Sequence, residues 1–177
     1  DDIHHIKNVM RMKPGDKIEV VWQQQVYLCE INSIEESLNI SIIKLLKNDN
    51  DKIDITLVVS LIKEKNFNWL LQKATELGVS TIIPVITDYS IINLDDNKKK
   101  KKIIRWKSIC KEASEQSKRN DIPDIKDIIN INELSINANS LNLVCSLNKD
   151  SRKVKDILKN NKKYDKIMIV IGPEGGL

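Results

Sequence analysis

The sequence predicts an α/β fold in two parts, a small N-terminal β-barrel followed by a domain with a parallel sheet. Residues 17–46 show short segments of partial apolar alternation without a helix-length pattern between them, as expected for short strands joined by turns. From about residue 55, strand-like runs alternate with amphipathic helix patterns, which indicates βαβ units. The run 166–171 ends in five apolar residues, which is typical of a strand buried on both faces.

The N-terminal part contains one helix and three strands. Ile3, Ile6, Val9 and Met10 fall on one helical face, so the pattern predicts a short helix over 2–11. A turn follows at 14–16, where proline and glycine occur together. The strands are predicted at 17–22, 25–32 and 37–46.

The C-terminal part alternates strands with helices. Its strands are predicted at 56–62, 80–86, 126–131, 141–146 and 166–171, and its last helix at 152–160. The first helix has an apolar stripe and ends at Gly78; the stripe comprises Phe67, Leu70, Leu71, Ala74 and Leu77. The second helix starts near 98 and buries Trp106, Ile109, Cys110 and Ala113. Because lysine is electrostatically unfavourable at a helix N-terminus, the first of the five lysines at 98–102 are expected in a loop.

Composition limits the function classes. A net charge of +4 and a pI near 8.8 allow a polyanionic partner without requiring one. The three cysteines are widely spaced and odd in number, which favours reduced thiols and a cytoplasmic location. The sequence contains neither an apolar run of membrane-spanning length nor a secretory pattern at its start.

Common catalytic motifs are absent. The sequence contains no G-x-G-x-x-G after an early strand, no G-x-x-x-x-G-K-[ST] and no G-x-S-x-G, which excludes a dinucleotide fold, a P-loop and a hydrolase elbow. His4 and His5 are an adjacent pair without the carboxylate or thiolate cluster of a metal centre, so no metal site is predicted.

The segment after the last strand is the best candidate site. It reads Gly-Pro-Glu-Gly-Gly-Leu over 172–177, and glycines let a backbone approach a ligand closely. Ligands of open α/β sheets bind just past the carboxyl ends of the strands. Taken alone, the segment favours a Gly/Pro turn that closes a core strand, and only the motifs elsewhere in the chain favour a binding site.

Four collinear motifs carry a family resemblance. They are Val-Met-Arg-Met-Lys-Pro-Gly-Asp at 9–16, Lys-Ala-Thr-Glu-Leu-Gly-Val at 73–79, Glu-Ala-Ser-Glu-Gln-Ser-Lys-Arg at 112–119, and the segment 172–177. Together they resemble the RsmE family, which methylates N3 of a uridine in 16S ribosomal RNA. That family belongs to the SPOUT class of S-adenosylmethionine-dependent methyltransferases, which have a C-terminal trefoil knot.

The resemblance implies a two-domain homodimer. A PUA-like β-barrel over 1–55 would hold RNA, and a SPOUT methyltransferase domain over 56–177 would bind the methyl donor. The family's first N-terminal strand and its third cofactor segment, which also threads the knot, have no counterpart in the sequence. An incomplete knot and weak donor binding are therefore expected of this chain. The resemblance also implies 16S ribosomal RNA within the small subunit as the partner, and neither a membrane nor a metal is expected.

Site residues carry over from the family by position. The S-adenosylmethionine contacts would be Leu143, Ser146, Leu147, Ile171, Gly172, Pro173, Glu174, Gly175, Gly176 and Leu177. The RNA contacts would be His5, Arg11, Lys13, Gln116 and Arg119. The residue that deprotonates the uridine is left open, with Glu115 and Arg119 as candidates. The family commonly has a glycine where this chain has Lys118.

Three motifs also have purely structural interpretations. Glu76 either pairs with Lys73 or orients the backbone at the site, and 112–119 is also readable as a salt-bridged surface helix. The lysines at 98–102 are either solvated or contact phosphates. At the level of the whole chain, the alternatives are a non-catalytic RNA-binding module and a SPOUT methyltransferase with another RNA target.

Overall fold

The N-terminal and C-terminal parts of the chain each form a separate sheet. The computed structural model describes residues 2–23, 25–48, 52–87, 95–146, 148–160 and 164–173. The chain divides into two units, Asp1–Asp51 and Lys52–Leu177.

The N-terminal unit is a three-stranded antiparallel sheet in the order β1-β2-β3. A short helix, α1 (Asp2–His4), continues as one π-helical segment, His5–Val9. The strands are β1 (Lys17–Trp22), β2 (Gln25–Ile34) and β3 (Leu38–Asn48). All three predicted strands are confirmed, and Cys29 and Ile31 of the central strand are each 1% exposed.

The C-terminal unit contains a parallel sheet in the order β6-β5-β4-β9-β8, as the alternating pattern predicted. Its strands are β4 (Asp54–Ser60), β5 (Thr81–Ile86), β6 (Asp124–Ile125), β7 (Ile129–Asn130), β8 (Leu141–Val144) and β9 (Lys166–Ile171). Strand β7 pairs with β5 beyond the end of β6. The last strand, β9, therefore lies between β4 and β8.

Helices α2 (Glu64–Glu76), α3 (Asp96–Gln116) and α4 (Val154–Asn160) connect these strands. Phe67 of α2 packs on Trp106 of α3 with ring centroids 4.5 Å apart. Both rings belong to the larger core cluster, together with Leu57 and Val59 of β4, whereas Val58 faces a second cluster. Successive residues of β4 are thus buried on opposite faces of the sheet, as expected for a strand covered on both sides.

Helices α2 and α3 end in the same backbone motif. At the end of α2, Val79 N donates to Ala74 O at 3.0 Å and Gly78 N to Thr75 O at 3.0 Å. At the end of α3, Arg119 N donates to Ser114 O at 2.9 Å. These are Schellman pairings, which require a left-handed residue just past the helix. Gly78 supplies it with φ +97°, whereas in α3 the residue is Lys118, with φ +54°.

Three predicted details were wrong. Leu77 was assigned to the buried stripe, but it is 82% exposed because it is the C-cap residue of α2, where the chain leaves the helix. The lysine run was expected to start in a loop, but α3 begins at Asp96 because Asp95 caps it, accepting from Lys98 N at 2.8 Å.

The third error concerns strand limits. The first strand of the C-terminal unit begins and ends two residues earlier than 56–62. The strand predicted at 126–131 is instead split into the short β6 and β7. None of the described helices is both long and apolar enough to cross a membrane.

Candidate functional site

The carboxyl edge of the parallel sheet is where the chain places its candidate ligand residues. Strands β4, β9 and β8 are neighbours and end at Ser60, Ile171 and Val144. Because they are parallel, the segments that follow them emerge side by side.

The ends of β8 and β9 form the core of this site. Leu143 pairs with Ile169 across the two strands, and Cys145 N donates to Val170 O at 2.9 Å. Leu143 is 9% exposed and Ile171 is 36% exposed. Five of the predicted cofactor residues therefore lie together at adjacent strand ends: Leu143, Ser146, Ile171, Gly172 and Pro173. Leu147, Glu174, Gly175, Gly176 and Leu177 lie outside the described residues.

Ser146 holds the turn that follows β8. Its hydroxyl oxygen accepts from Asn148 N at 3.2 Å, and its carbonyl accepts from Ser151 Oγ at 3.1 Å. Apolar side chains at 143 and 171, with a glycine and a hydrogen-bonded serine beside them, match the mixed apolar and polar lining of small-molecule sites. A nucleoside-containing donor such as S-adenosylmethionine fits this chemistry.

A buried hydroxyl pair lies at the same edge and was missed from the sequence. Ser60 and Thr87 are 1% and 6% exposed, and their hydroxyl oxygens are 3.3 Å apart. The pair joins the end of β4 to the residue after β5. The available signal was a polar residue directly after each of two apolar runs, Ser60 within the strand predicted at 56–62 and Thr87 just past the one predicted at 80–86.

Arg119 lies at the opposite, amino edge of the sheet. Its guanidinium donates to Thr75 O, to Val79 O at 3.0 Å and to both carboxylate oxygens of Asp121, at 3.2 and 2.8 Å. Its side chain is 8% exposed. Since Val79 lies two residues before β5 and that strand has six residues, the cluster lies about 20 Å from the carboxyl edge.

The charges around Asp121 are balanced. Lys52 Nζ lies 2.7 Å from the same carboxylate. Burial alone would raise the pKa of Asp121, but hydrogen bonds from Arg119 and Lys52 outweigh it and lower the pKa below its usual range. The amino edge is thus a structural ion cluster that joins the ends of α2 and α3.

The remaining predicted contacts are spread over both units. Glu115 pairs with Lys111 at 3.6 Å, and Gln116 is exposed at the last position of α3. His5, Arg11 and Lys13 are exposed in the N-terminal unit, where Arg11 adopts a left-handed φ of +54°. Of the two interpretations kept for Glu76, the structure shows the ion pair, with Lys73 at 2.7 Å.

Comparisons with known proteins agree on one family. A family model described as an RNA methyltransferase domain matches residues 49–177, and one described as an RNA methyltransferase PUA domain matches residues 1–43. Ribosomal RNA small subunit methyltransferase E of Bacillus subtilis (strain 168) is 34% identical over 186 residues, which covers 100% of this chain and 73% of that protein.

Solved structures give the same result. The crystal structure of a ribosomal RNA small subunit methyltransferase E from Neisseria gonorrhoeae, bound to S-adenosyl methionine, has a TM-score of 0.82 at 30% identity, covering 99% of this chain and 73% of that chain. A putative methyltransferase from Legionella pneumophila, in complex with the same cofactor, has a TM-score of 0.76 at 25% identity, covering 99% and 72%. The chain therefore belongs to the ribosomal RNA small subunit methyltransferase E family, the RsmE family whose motifs it carries.

Proposed function

We propose that this protein transfers the methyl group of S-adenosylmethionine to N3 of a uridine in 16S ribosomal RNA, acting as a cytoplasmic homodimer. The observation that carries the proposal is the convergence of the β8 and β9 ends at the carboxyl edge of the sheet, with Gly172 directly past Ile171. Membership of the family supports the reaction class.

The residues at this edge would bind the donor and exclude water from it. Leu143 and Ile171 would provide an apolar wall, while Ser146 keeps the turn after β8 in place. The bound donor supplies an electrophilic methyl group. The protein must then place the uracil N3 in line with that group, which is mainly a matter of proximity and orientation. The target base has to leave its stack to reach the site.

The proton on N3 must leave during transfer, so a base or an enolate-stabilising group is required. Of the two candidates, Arg119 is held in the ion cluster, whereas the Glu115 side chain is 58% exposed. Within one chain both lie toward the amino edge, away from Ile171. A contribution from Glu115 would therefore come from the second subunit of the homodimer.

RNA binding by the N-terminal unit is a further part of the proposal. The PUA-family match and the exposed His5, Arg11 and Lys13 support it. An arginine guanidinium can pair with phosphate and stack on unpaired bases. Closure of this sheet into a PUA-like barrel and a trefoil-knot type of C-terminal domain, with the knot incomplete in this chain, belong to the same proposal, as does the division of labour between 1–55 and 56–177.

Donor binding tests the site. Ile171→Asp places a carboxylate in the apolar wall, and we expect it to weaken S-adenosylmethionine binding at least tenfold in calorimetry. Ile122→Asp is the matched control, because Ile122 is 52% exposed beside Asp121 at the amino edge. The affinity of this variant for S-adenosylmethionine should stay within about twofold of the parent's. Equal losses in both variants, or none in either, would place the donor elsewhere.

Mapping the product tests the reaction. Small subunits incubated with the protein and isotope-labelled donor should yield N3-methyluridine in 16S RNA by nucleoside mass spectrometry. Label in a different nucleotide would indicate another RNA target. RNA binding without any label, despite measurable donor binding, would favour the non-catalytic module.

A further inference from the structure

The outer face of α3 has more positive charge than the acidic residues in the described part of the chain pair with. Eight of the fourteen residues from Lys98 to Lys111 are lysine or arginine. Some of these side chains form ion pairs within the chain: Lys102 and Arg105 lie 3.1 and 2.6 Å from the carboxylate of Glu64. Lys98, Lys99 and Lys111 pair with acidic residues of α3 or its N-cap.

Three lysines differ from these. Lys100, Lys101 and Lys107 are exposed, and none of the ion pairs found in the described part of the chain involves them. Lys100 and Lys107 are seven residues apart, so they share one helical face about 10 Å apart along the axis. Ile104 lies between them and is 69% exposed. We call this surface of Lys100, Lys101, Ile104 and Lys107 the α3 ridge.

The ridge begins at the same edge of the sheet as the candidate donor site. The chain enters α3 from the carboxyl end of β5 and leaves it at the amino edge, where Arg119 contacts Val79 O. The contact of Glu64, four residues past the end of β4, with Lys102 and Arg105 shows the same orientation. A polyanion along the ridge would therefore extend from beside the candidate donor site.

We propose that the α3 ridge binds the phosphate backbone of the substrate RNA, as a second contact surface besides the N-terminal unit. This inference rests on the proposed function, which makes the partner an RNA. Lysine contacts to phosphate position a nucleic acid without reading its sequence. The exposed Ile104 would pack on a ribose or base between the two ends of the ridge.

The salt dependence of RNA affinity tests the ridge. Each phosphate contact contributes about 0.7–0.9 to the slope of log affinity against log salt, which corresponds to about four- to sixfold in affinity at 0.15 M salt. The triple variant Lys100→Gln/Lys101→Gln/Lys107→Gln should therefore bind a transcribed 16S fragment about 60- to 200-fold more weakly and lower the slope by about 2–3. Lys100→Gln and Lys107→Gln alone should each lower it by about one.

A triple of equal charge on another helix is the control. Lys153, Lys155 and Lys159 at and within α4 are exposed, and changing all three to glutamine should leave the slope within about 0.5 of the parent. Equal slope losses in both triple variants would show that RNA affinity depends only on the net charge of the protein, and would overturn the proposal that the α3 ridge binds RNA. Thermal unfolding confirms that each variant is folded.

The outcomes separate the ridge from the proposed function. If the parent binds RNA and the ridge triple binds it with an unchanged slope, the ridge is wrong and the proposed function is unaffected. If the parent binds no RNA, both fail together. Polyglutamate tests for an acidic protein partner. If polyglutamate binds the parent as tightly as the RNA fragment does, and the ridge triple abolishes that binding, the partner is an acidic protein and the RNA assignment fails.

Discussion

Replacing Arg119 with alanine should destabilise the C-terminal unit strongly. The change removes donors to Thr75 O and Val79 O and both bonds to Asp121. Breaking a buried ion pair by removing one partner costs about 3–5 kcal/mol. Asp121 is 21% exposed and keeps Lys52 at 2.7 Å, which reduces the penalty, so we expect a loss of about 2–4 kcal/mol. At about 4 °C per kcal/mol for a domain of this size, Tm falls by roughly 8–16 °C.

Arg119→Lys separates geometry from charge. An ammonium keeps the positive charge but cannot bridge two carbonyls and a carboxylate with the planar fork of a guanidinium. We therefore expect this variant to lose about half as much stability as Arg119→Ala. Urea unfolding followed by circular dichroism measures the loss of stability in both variants. If Arg119→Ala unfolds within about 0.5 kcal/mol of the parent but loses RNA affinity, Arg119 contacts RNA and the structural account is refuted.

Three further predictions concern backbone strain, pH and thiol reactivity. Lys118→Gly should stabilise the protein by about 0.5–1 kcal/mol, because φ +54° costs a lysine more than a glycine; Lys118→Ala should bring no such gain in thermal unfolding. The lowered pKa of Asp121 adds stability that is complete above its unfolded pKa of about 3.9 and is lost as the pH falls through the folded value. Urea unfolding between about pH 2 and 6 should therefore show a shallower acid loss in Asp121→Asn than in the parent; equal slopes would contradict this. Burial raises the pKa of the Cys110 thiol, so iodoacetamide at about pH 8 should label exposed Cys145 first, and mass spectrometry showing Cys110 labelled equally fast would be the contrary result.

The strands and helices were predictable because each has its own local period. The alternation that defines β2 and the stripe containing Phe67 and Leu71 are visible within ten residues of sequence, and Phe67 and Leu71 are buried as expected. The ends of helices are harder to predict because a cap depends on the backbone geometry at the end of the helix, which the apolar period does not encode. Leu77 continues the apolar stripe, yet it lies where the helix has already ended.

The ion cluster could not be predicted because its contacts join distant residues. Arg119 and Thr75 are 44 residues apart in sequence, and nothing near either one indicates the other. The motif around Arg119 suggested a ligand contact, which stays a prediction; the residues of that motif do not indicate that the guanidinium also closes the end of a neighbouring helix. The proximity of the candidate cofactor residues was easier to predict, since strand order brings Leu143 and Ser146 close to 171–173 once the sheet is known to be parallel.

The strand order also has a consequence during synthesis. Strand β4 ends at Ser60, but its neighbour β9 begins only at Lys166. At about 5–20 residues per second, the ribosome needs roughly 5–20 s to deliver that neighbour. During this interval the nascent chain can fold β4, α2 and β5 while one edge of β4 still has unpaired backbone groups. Such an edge is a template for aggregation, so the nascent chain is exposed to mispairing until β9 pairs with β4.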